Sequence, residues 1–287
     1  MKPVVKEFFD HATWTLTYVV WDPETRDAVI IDPVLDYDPA ASKVSQDSIE
    51  RVDQYVQQQK LKIHLILETH AHADHVSGAQ GLKARFPQAR IAIGAKITEV
   101  QKVFKKVFNL KSDFPTDGRQ FDLLLEEGQS FQAGTLSIQT IYTPGHTPAC
   151  STYVIGDATF TGDALFMPDS GTGRCDFPAG SAADLYLSIQ KIYALPDHYR
   201  VFVGHDYQPN GRPLAFESTI SEEKTKNIHV RSGTLKDDFV QFRSHRDKTL
   251  GAPRLLLPSV QVNIDAGRLP PPEENGKRYL KIPIGES

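Results

Sequence analysis

Apolar positions along the chain fall into short runs separated by turn signals. Trp14 to Val20 and Ala28 to Ile31 read as strands, Ser48 to Gln59 carries a polar helical pattern, and Ile63 to Leu67 is a strand again. A helix continues through Leu82 to Phe86, and a short strand follows over Arg90 to Ile93. In Lys96 to Phe108, Ile97, Val100, Val103, Phe104 and Val107 recur at helical spacing. Phe121 to Leu125, Thr135 to Tyr142, Ser151 to Ile155 and Thr159 to Thr161 are strand-like, and Gly156-Asp157 marks a tight hairpin turn between the last two. Ala183 to Tyr193 has helical spacing, and Arg200 to Val203 is one more short strand.

Many sequential strands interleaved with helices predict a layered α/β protein whose sheets are covered by helices. The last stretch differs. Lys236 to Leu250 is a charged helical pattern, and a Pro-rich segment follows in which Pro270 to Gly276 is an expected exposed loop. The expectation is one domain over 1–287, with 225–287 as a C-terminal extension packed on it rather than a second core.

Composition narrows the function classes. The 287 residues are 40% hydrophobic and 24% charged, with 32 Lys+Arg against 36 Asp+Glu and a formal charge of −4, the balance of an ordinary globular protein. A pI near 6.2 and no run of five or more basic residues argue against a nucleic-acid partner. No apolar stretch approaches the roughly 20 residues that span a bilayer. The N-terminus lacks the apolar core of a signal peptide, and the two cysteines, Cys150 and Cys175, cannot form a disulfide framework, so a cytoplasmic protein without a membrane partner is expected. Homodimerisation is an expectation from the prevalence of symmetric oligomers alone.

Chemistry concentrates in Glu68-Thr69-His70-Ala71-His72-Ala73-Asp74-His75, directly after the apolar run Ile63 to Leu67. Residues 70 to 75 hold three His and one Asp, all metal-ligand types, on a loop delivered by a rigid strand. His11, His64, His198, His229 and His245 stand alone and are expected to be solvated or hydrogen-bonded. Three further ligand types each follow an apolar run and a glycine: His146 in Thr143-Pro144-Gly145-His146, Asp163 in Thr161-Gly162-Asp163, and His205 in Val203-Gly204-His205. Glycine permits a sharp turn and close approach to an ion, so strand ends converging on one sheet edge could assemble a metal site.

This H-A-H-A-D-H run with His146, Asp163 and His205 resembles the ligand pattern of the metallo-β-lactamase fold superfamily. The resemblance implies an αββα four-layer sandwich with the metal at one edge of its two sheets. Gly162-Asp163-Ala164-Leu165-Phe166, Gly173-Arg174-Cys175-Asp176-Phe177 and Gly204-His205-Asp206-Tyr207 further resemble persulfide dioxygenases, a group related to glyoxalase II. Val262-Asn263-Ile264 and Tyr279-Leu280-Lys281-Ile282-Pro283 extend the likeness over nearly the whole chain.

By that resemblance one Fe(II) per chain is held by His70, His146 and Asp163, two imidazoles and a carboxylate that leave positions open for substrate sulfur and dioxygen. His72, Asp74, His75 and His205 then stand around the iron and orient its ligands. The implied activity is oxidation of glutathione persulfide with O₂ and water to sulfite and glutathione. Arg174 and Tyr207 match the glutathione contacts of the family, with donor geometry suited to a carboxylate and a peptide backbone. Arg174 could instead pair locally with Asp176, and Arg246 and Lys248 are further basic candidates without motif support.

Because the same seven ligand types complete a two-zinc site in hydrolase relatives, a dinuclear zinc glutathione-thioester hydrolase of glyoxalase II type is the alternative. A non-enzymatic metal-binding or redox-sensing module is a third. Cys175 lies beside the substrate segment but is given no catalytic role, since most free cysteines are inert core residues.

Overall fold

Three strands open the chain, β1 (Val4–Asp10), β2 (Thr15–Trp21) and β3 (Asp27–Ile31), and two short ones, β4 (Val34–Asp38) and β5 (Lys43–Ser45), precede helix α1 (Asp47–Gln59). Next come β6 (Lys62–Glu68), β7 (Val76–Ser77), α2 (Ala79–Arg85), β8 (Arg90–Gly94), α3 (Ile97–Val107) and β9 (Leu123–Leu125). The second half supplies β10 (Ser130–Ala133), β11 (Leu136–Tyr142), β12 (Ser151–Ile155), β13 (Ala158–Phe160), α4 (Ala182–Tyr193), β14 (Arg200–Phe202) and β15 (Glu217–Thr219). Helices α5 (Ile220–Lys226), α6 (Lys236–Asp247) and α7 (Leu256–Asn263) close it. This computed structural model describes residues 2–285; Met1, Glu286 and Ser287, at the ends of the expected domain 1–287, lie outside the described residues.

Two six-stranded sheets form, in the orders β1-β2-β3-β6-β8-β9 and β10-β11-β12-β13-β14-β15. Alternation along the strands explains how the first sheet is buried on both faces. Tyr18, Val20, Val29, Ile31, Leu65 and Leu67 enter one core with Ile138, Tyr153 and Phe160 of the second sheet. Their neighbours Val19, Trp21, Ala28, Ile30 and Ile66 enter another core under α1, α2 and α3, with Val52, Leu82 and Val100. On the second sheet, Leu185, Ile189 and Ile192 of α4 complete the outer layer. The result is the αββα sandwich.

The predicted hairpin is present: Ile155 pairs with Ala158 across Gly156-Asp157, and Gly156 adopts φ 60°. Several short strands were not predicted, because β4, β5, β7 and β15 are two to five residues long and carry too little pattern. Helix α7 was also missed inside the Pro-rich stretch. Its Pro258 sits in the first turn, where no backbone N–H is required.

The C-terminal segment is built into the molecule. Val230 and Phe239 belong to the first core, while Val260, Ile264 and Ala266 belong to the second. No helix among the described residues is long and apolar enough to cross a membrane.

Candidate metal centre

Strand direction places the ligands. β11 and β13 both run antiparallel to β12, and β14 runs parallel to β13, so their C-terminal ends reach the same edge of the second sheet. His146 follows β11, Asp163 follows β13 and His205 follows β14; the 70–75 loop arrives from the end of β6 in the first sheet. Buried hydrogen bonds hold these ends together. Tyr153 Oη donates to Glu68 O at 2.8 Å, Tyr18 Oη donates to Val203 O at 2.7 Å, and Ser151 N donates to Thr69 O at 2.9 Å.

Two glycines make the approach sterically possible. Gly162 turns at φ 50° immediately before Asp163, and a Cβ there would lie 2.6 Å from Thr69 Oγ1. At Gly173 a Cβ would stand 2.1 Å from Asp163 O.

Donor atoms of His70, His146 and Asp163 lie within 4.8 Å of one another, and those of His72, Asp74 and His205 form a second such set. A third set, Asp32, Glu68 and His72, is fully buried. His75 joins none of the three sets among the described residues.

Each imidazole is oriented by a hydrogen bond on its far nitrogen. Thr69 Oγ1 donates to Asp32 Oδ2 at 2.8 Å, so at 3.0 Å it accepts from His70 Nδ1. His146 Nδ1 donates to Arg174 O at 2.7 Å, and His205 Nδ1 donates to Trp14 O at 3.3 Å. His72 Nε2 donates to Asp32 Oδ1 at 3.0 Å, and His75 Nδ1 to Asp74 Oδ2 at 3.1 Å. This network assigns the tautomers. It leaves His70 Nε2, His72 Nδ1, His75 Nε2 and Asp163 Oδ1 buried without a hydrogen-bond partner. His70, His72 and Asp163 of these belong to the candidate sets, orphaned buried acceptors are costly unless a cation satisfies them, and the donor types suit a transition metal.

Electrostatics divide the imidazoles. Burial, with help from His72, holds the His70 ring well below its ordinary range and keeps it neutral, as a ligand must be. Burial opposes charge on His205 as well, yet Asp74 and Asp163 outweigh it and push that ring up to about 9. A metal ion bound there displaces protons.

The centre opens into a cleft of about 470 Å³ reached by His146, Asp163 and Asp74. Arg174 and Tyr207 both line it. Arg174 makes the local pair weighed from the sequence, with Nε and Nη2 at 2.5 and 2.6 Å from the Asp176 carboxylate, and Nη1 donates to Gly251 O. The Tyr207 ring stacks on His205 at an interplanar angle of 13° and is half exposed. Arg246 lines the cleft with Arg243 and Arg254, and Lys248 is not among its lining residues. Cys175 is buried in the core, and burial pushes its thiol far above the ordinary range.

Sequence reasoning missed several contributors. Asp32 accepts from Thr69 N, Thr69 Oγ1 and His72 Nε2, so one carboxylate orients two ligand residues. Its signal was the same as that of Asp163, a carboxylate just after an apolar strand. His229, expected to be merely solvated or hydrogen-bonded, lines the cleft with Nδ1 accepting from Thr172 N at 3.0 Å. Trp14, at φ 56° and 44% exposed, stands at the same cleft beside Tyr207.

Residues 15–205 match the family model described as the metallo-beta-lactamase superfamily. The chain belongs to this superfamily. Within it, the chain is 49% identical to a probable metallo-hydrolase of Burkholderia pseudomallei, over 98% of each chain. It is 34% identical to the mitochondrial persulfide dioxygenase ETHE1 of Homo sapiens, over 92% of this chain and 89% of that protein. The crystal structure of ETHE1 from Myxococcus xanthus superposes with a TM-score of 0.73 at 30% identity, covering 92% of this chain and all of that one. Relatives thus carry both hydrolase and dioxygenase names.

Proposed function

We propose that this chain is an Fe(II)-dependent persulfide dioxygenase that oxidises glutathione persulfide with O₂ and water to sulfite and glutathione, in the cytoplasm. The observation that carries the proposal is the self-contained candidate set His70, His146 and Asp163, with His75 in none of the candidate sets among the described residues. His70, His146 and Asp163 would hold one ion beside the cleft, and two imidazoles with one carboxylate are the donor types of non-haem iron oxygenases. The similarity to persulfide dioxygenase ETHE1 supports the substrate. Iron(II) held there supplies electron exchange with dioxygen, which closed-shell zinc cannot.

The chain's own residues do the rest. Thr69, Arg174 O and Asp32 fix imidazole orientation, so no reorganisation is needed when substrate arrives. Tyr207 presents a ring and hydroxyl to the cleft, and Arg174 a guanidinium braced by Asp176, for the peptide and carboxylates of glutathione. Phe166 and Phe177 supply apolar walls beside the metal ligands. Their rings lie 6.0 Å from His205 and 4.9 Å from His146, which limits water near the reacting sulfur.

A second reading rests on the His72, Asp74 and His205 set adjoining the first and on the hydrolase-named relative. It makes the protein a dinuclear zinc hydrolase of glutathione thioesters, as in glyoxalase II. The two are separated by O₂ uptake with glutathione persulfide, measured on protein loaded anaerobically with Fe(II) and on protein loaded with Zn(II), with metal content determined for both. Iron-dependent uptake at about one iron per chain is expected. No uptake by fully iron-loaded protein, with thioester hydrolysis by the zinc form, would overturn the dioxygenase reading.

A further inference from the structure

Helix α7, whose Asn263 lies 191 residues from His72, is bonded directly to the ligand loop. Asn263, the last residue of α7, is 96% buried, with 4% relative exposure. Its Nδ2 donates to His72 O and to His75 O, both at 2.8 Å, and its Oδ1 accepts from Ser77 N at 2.8 Å. One carboxamide therefore uses both N–H bonds and its oxygen on three backbone groups of the turn that carries His72, Asp74 and His75. The amide orientation is unambiguous, since a flipped group would set its oxygen against two carbonyls.

Asn263 is itself held from behind. Gln101 Nε2 donates to Ile264 O at 2.9 Å, Gln80 Nε2 donates to Ala266 O at 2.8 Å, and Val260 and Ile264 are buried in the core under α3. The chain after α7 is thus tied to α2 and α3, and the carboxamide cannot move without disturbing packed groups.

We propose that Asn263 is a positioning residue for the metal centre: it latches the 72–77 turn so that the C-terminal extension sets the geometry of ligands supplied by the N-terminal half. Removing the carboxamide leaves two buried carbonyls and one buried N–H without partners, and the turn must relax to rehydrate them. Such relaxation displaces His72 and Asp74, which belong to one ligand set. No other side chain has the right shape, because Asp lacks the two donors and Gln is a methylene longer. The inference rests on the site being a metal centre, and not on the choice of iron or of persulfide.

The test measures metal affinity by chelator competition with Zn(II), and the absorption spectrum of the Co(II)-loaded protein, for the wild type, Asn263→Asp and Gln261→Ala. Gln261 lies on the same helix but bonds to Leu257 O and Lys281 O, away from the ligand turn, and reports the cost of merely weakening α7. The expected result is at least a tenfold loss of affinity and a shifted Co(II) spectrum in Asn263→Asp, with both unchanged in Gln261→Ala. Asn263→Ser replaces Asn263→Asp if the latter does not fold, with the same expected direction. Wild-type affinity and spectrum retained in the folded Asn263 variant, or an equal loss in Gln261→Ala, overturns the latch. Failure of the wild type to bind Zn(II) or Co(II) instead overturns the metal centre itself.

Discussion

Asp32 Oδ1 lies 3.0 Å from His72 Nε2, and the same carboxylate accepts from the N–H and hydroxyl of Thr69, the residue before His70. Asp32 adopts φ 49°, in the left-handed region that Asp tolerates better than most residues, directly after β3. A single buried anion thus turns His72 Nδ1 toward the centre and steadies the start of the ligand loop. Replacing it should cost metal affinity without removing any donor atom of the His70, His146 and Asp163 set. Asp32→Ala is expected to weaken metal binding or turnover by about 10- to 100-fold, measured by chelator competition and steady-state kinetics. Unchanged affinity would remove Asp32 from the site.

Asp163 supplies the carboxylate of the first set and approaches His205 at 3.3 Å and His146 at 3.4 Å. Asp163→Ala should lose bound metal and turnover together. Full metal occupancy in this variant, determined by elemental analysis, would exclude Asp163 as a ligand.

The Arg174 carbonyl orients His146 and is kept in any substitution, whereas its side chain lines the cleft and bonds to Asp176 and Gly251, so the side chain's role is in binding. Arg174→Ala is expected to raise KM several-fold with kcat little changed, the pattern of uniform binding. A fall in kcat at unchanged KM would instead place Arg174 in the reacting step.

Cys175 is buried and its thiol is pushed up by desolvation, so it is not a thiolate near neutral pH. Its backbone N–H, which donates to Asp247 Oδ2 at 2.8 Å, is retained in any substitution. Cys175→Ser should therefore keep most activity. Loss of turnover with metal retained would give the thiol a chemical role.

Away from the centre, burial pushes the Glu223 carboxyl up from its ordinary 4.5 to about 7, although Asn227 and Ser218 bond to it. A raised carboxyl favours the protonated fold. Its contribution is complete below pH 4.5, declines as pH rises and is lost above about 7. The span corresponds to on the order of 3 kcal/mol. Glu223→Gln should gain stability relative to the wild type between pH 4.5 and 7, read from urea midpoints. A pH-independent difference would show that the carboxyl is not shifted.

Much of this protein was legible along the chain. Short apolar runs bounded by turn signals marked the central strands, and helical spacing marked α1 and α3, because a strand buried on both faces reads as a continuous run and a helix face recurs every three to four residues. The dense cluster from His70 to His75, and the recurrence of glycine before His146, Asp163 and His205 at strand ends, pointed to the candidate metal centre. Those signals survive in one dimension because each is carried within a few residues. Short edge strands such as β7 and β15 carry no such signal, and neither does α7, whose apolar residues meet their partners only after folding.

What tertiary structure alone decided is which nitrogen each imidazole offers and what holds it. Asp32 and His72 are 40 residues apart, and Asn263 and His72 are 191 apart. Hydrogen bonds at those separations obey no local period, since they depend on the strand order that brings one sheet edge and the C-terminal helix together. The sequence by itself determined the ligand types and the strands that deliver them. Their orientation, the three-way grouping of their donor atoms and the latch from α7 exist only once the two sheets have packed, because a hydrogen bond's direction is a property of the assembled core and not of either partner.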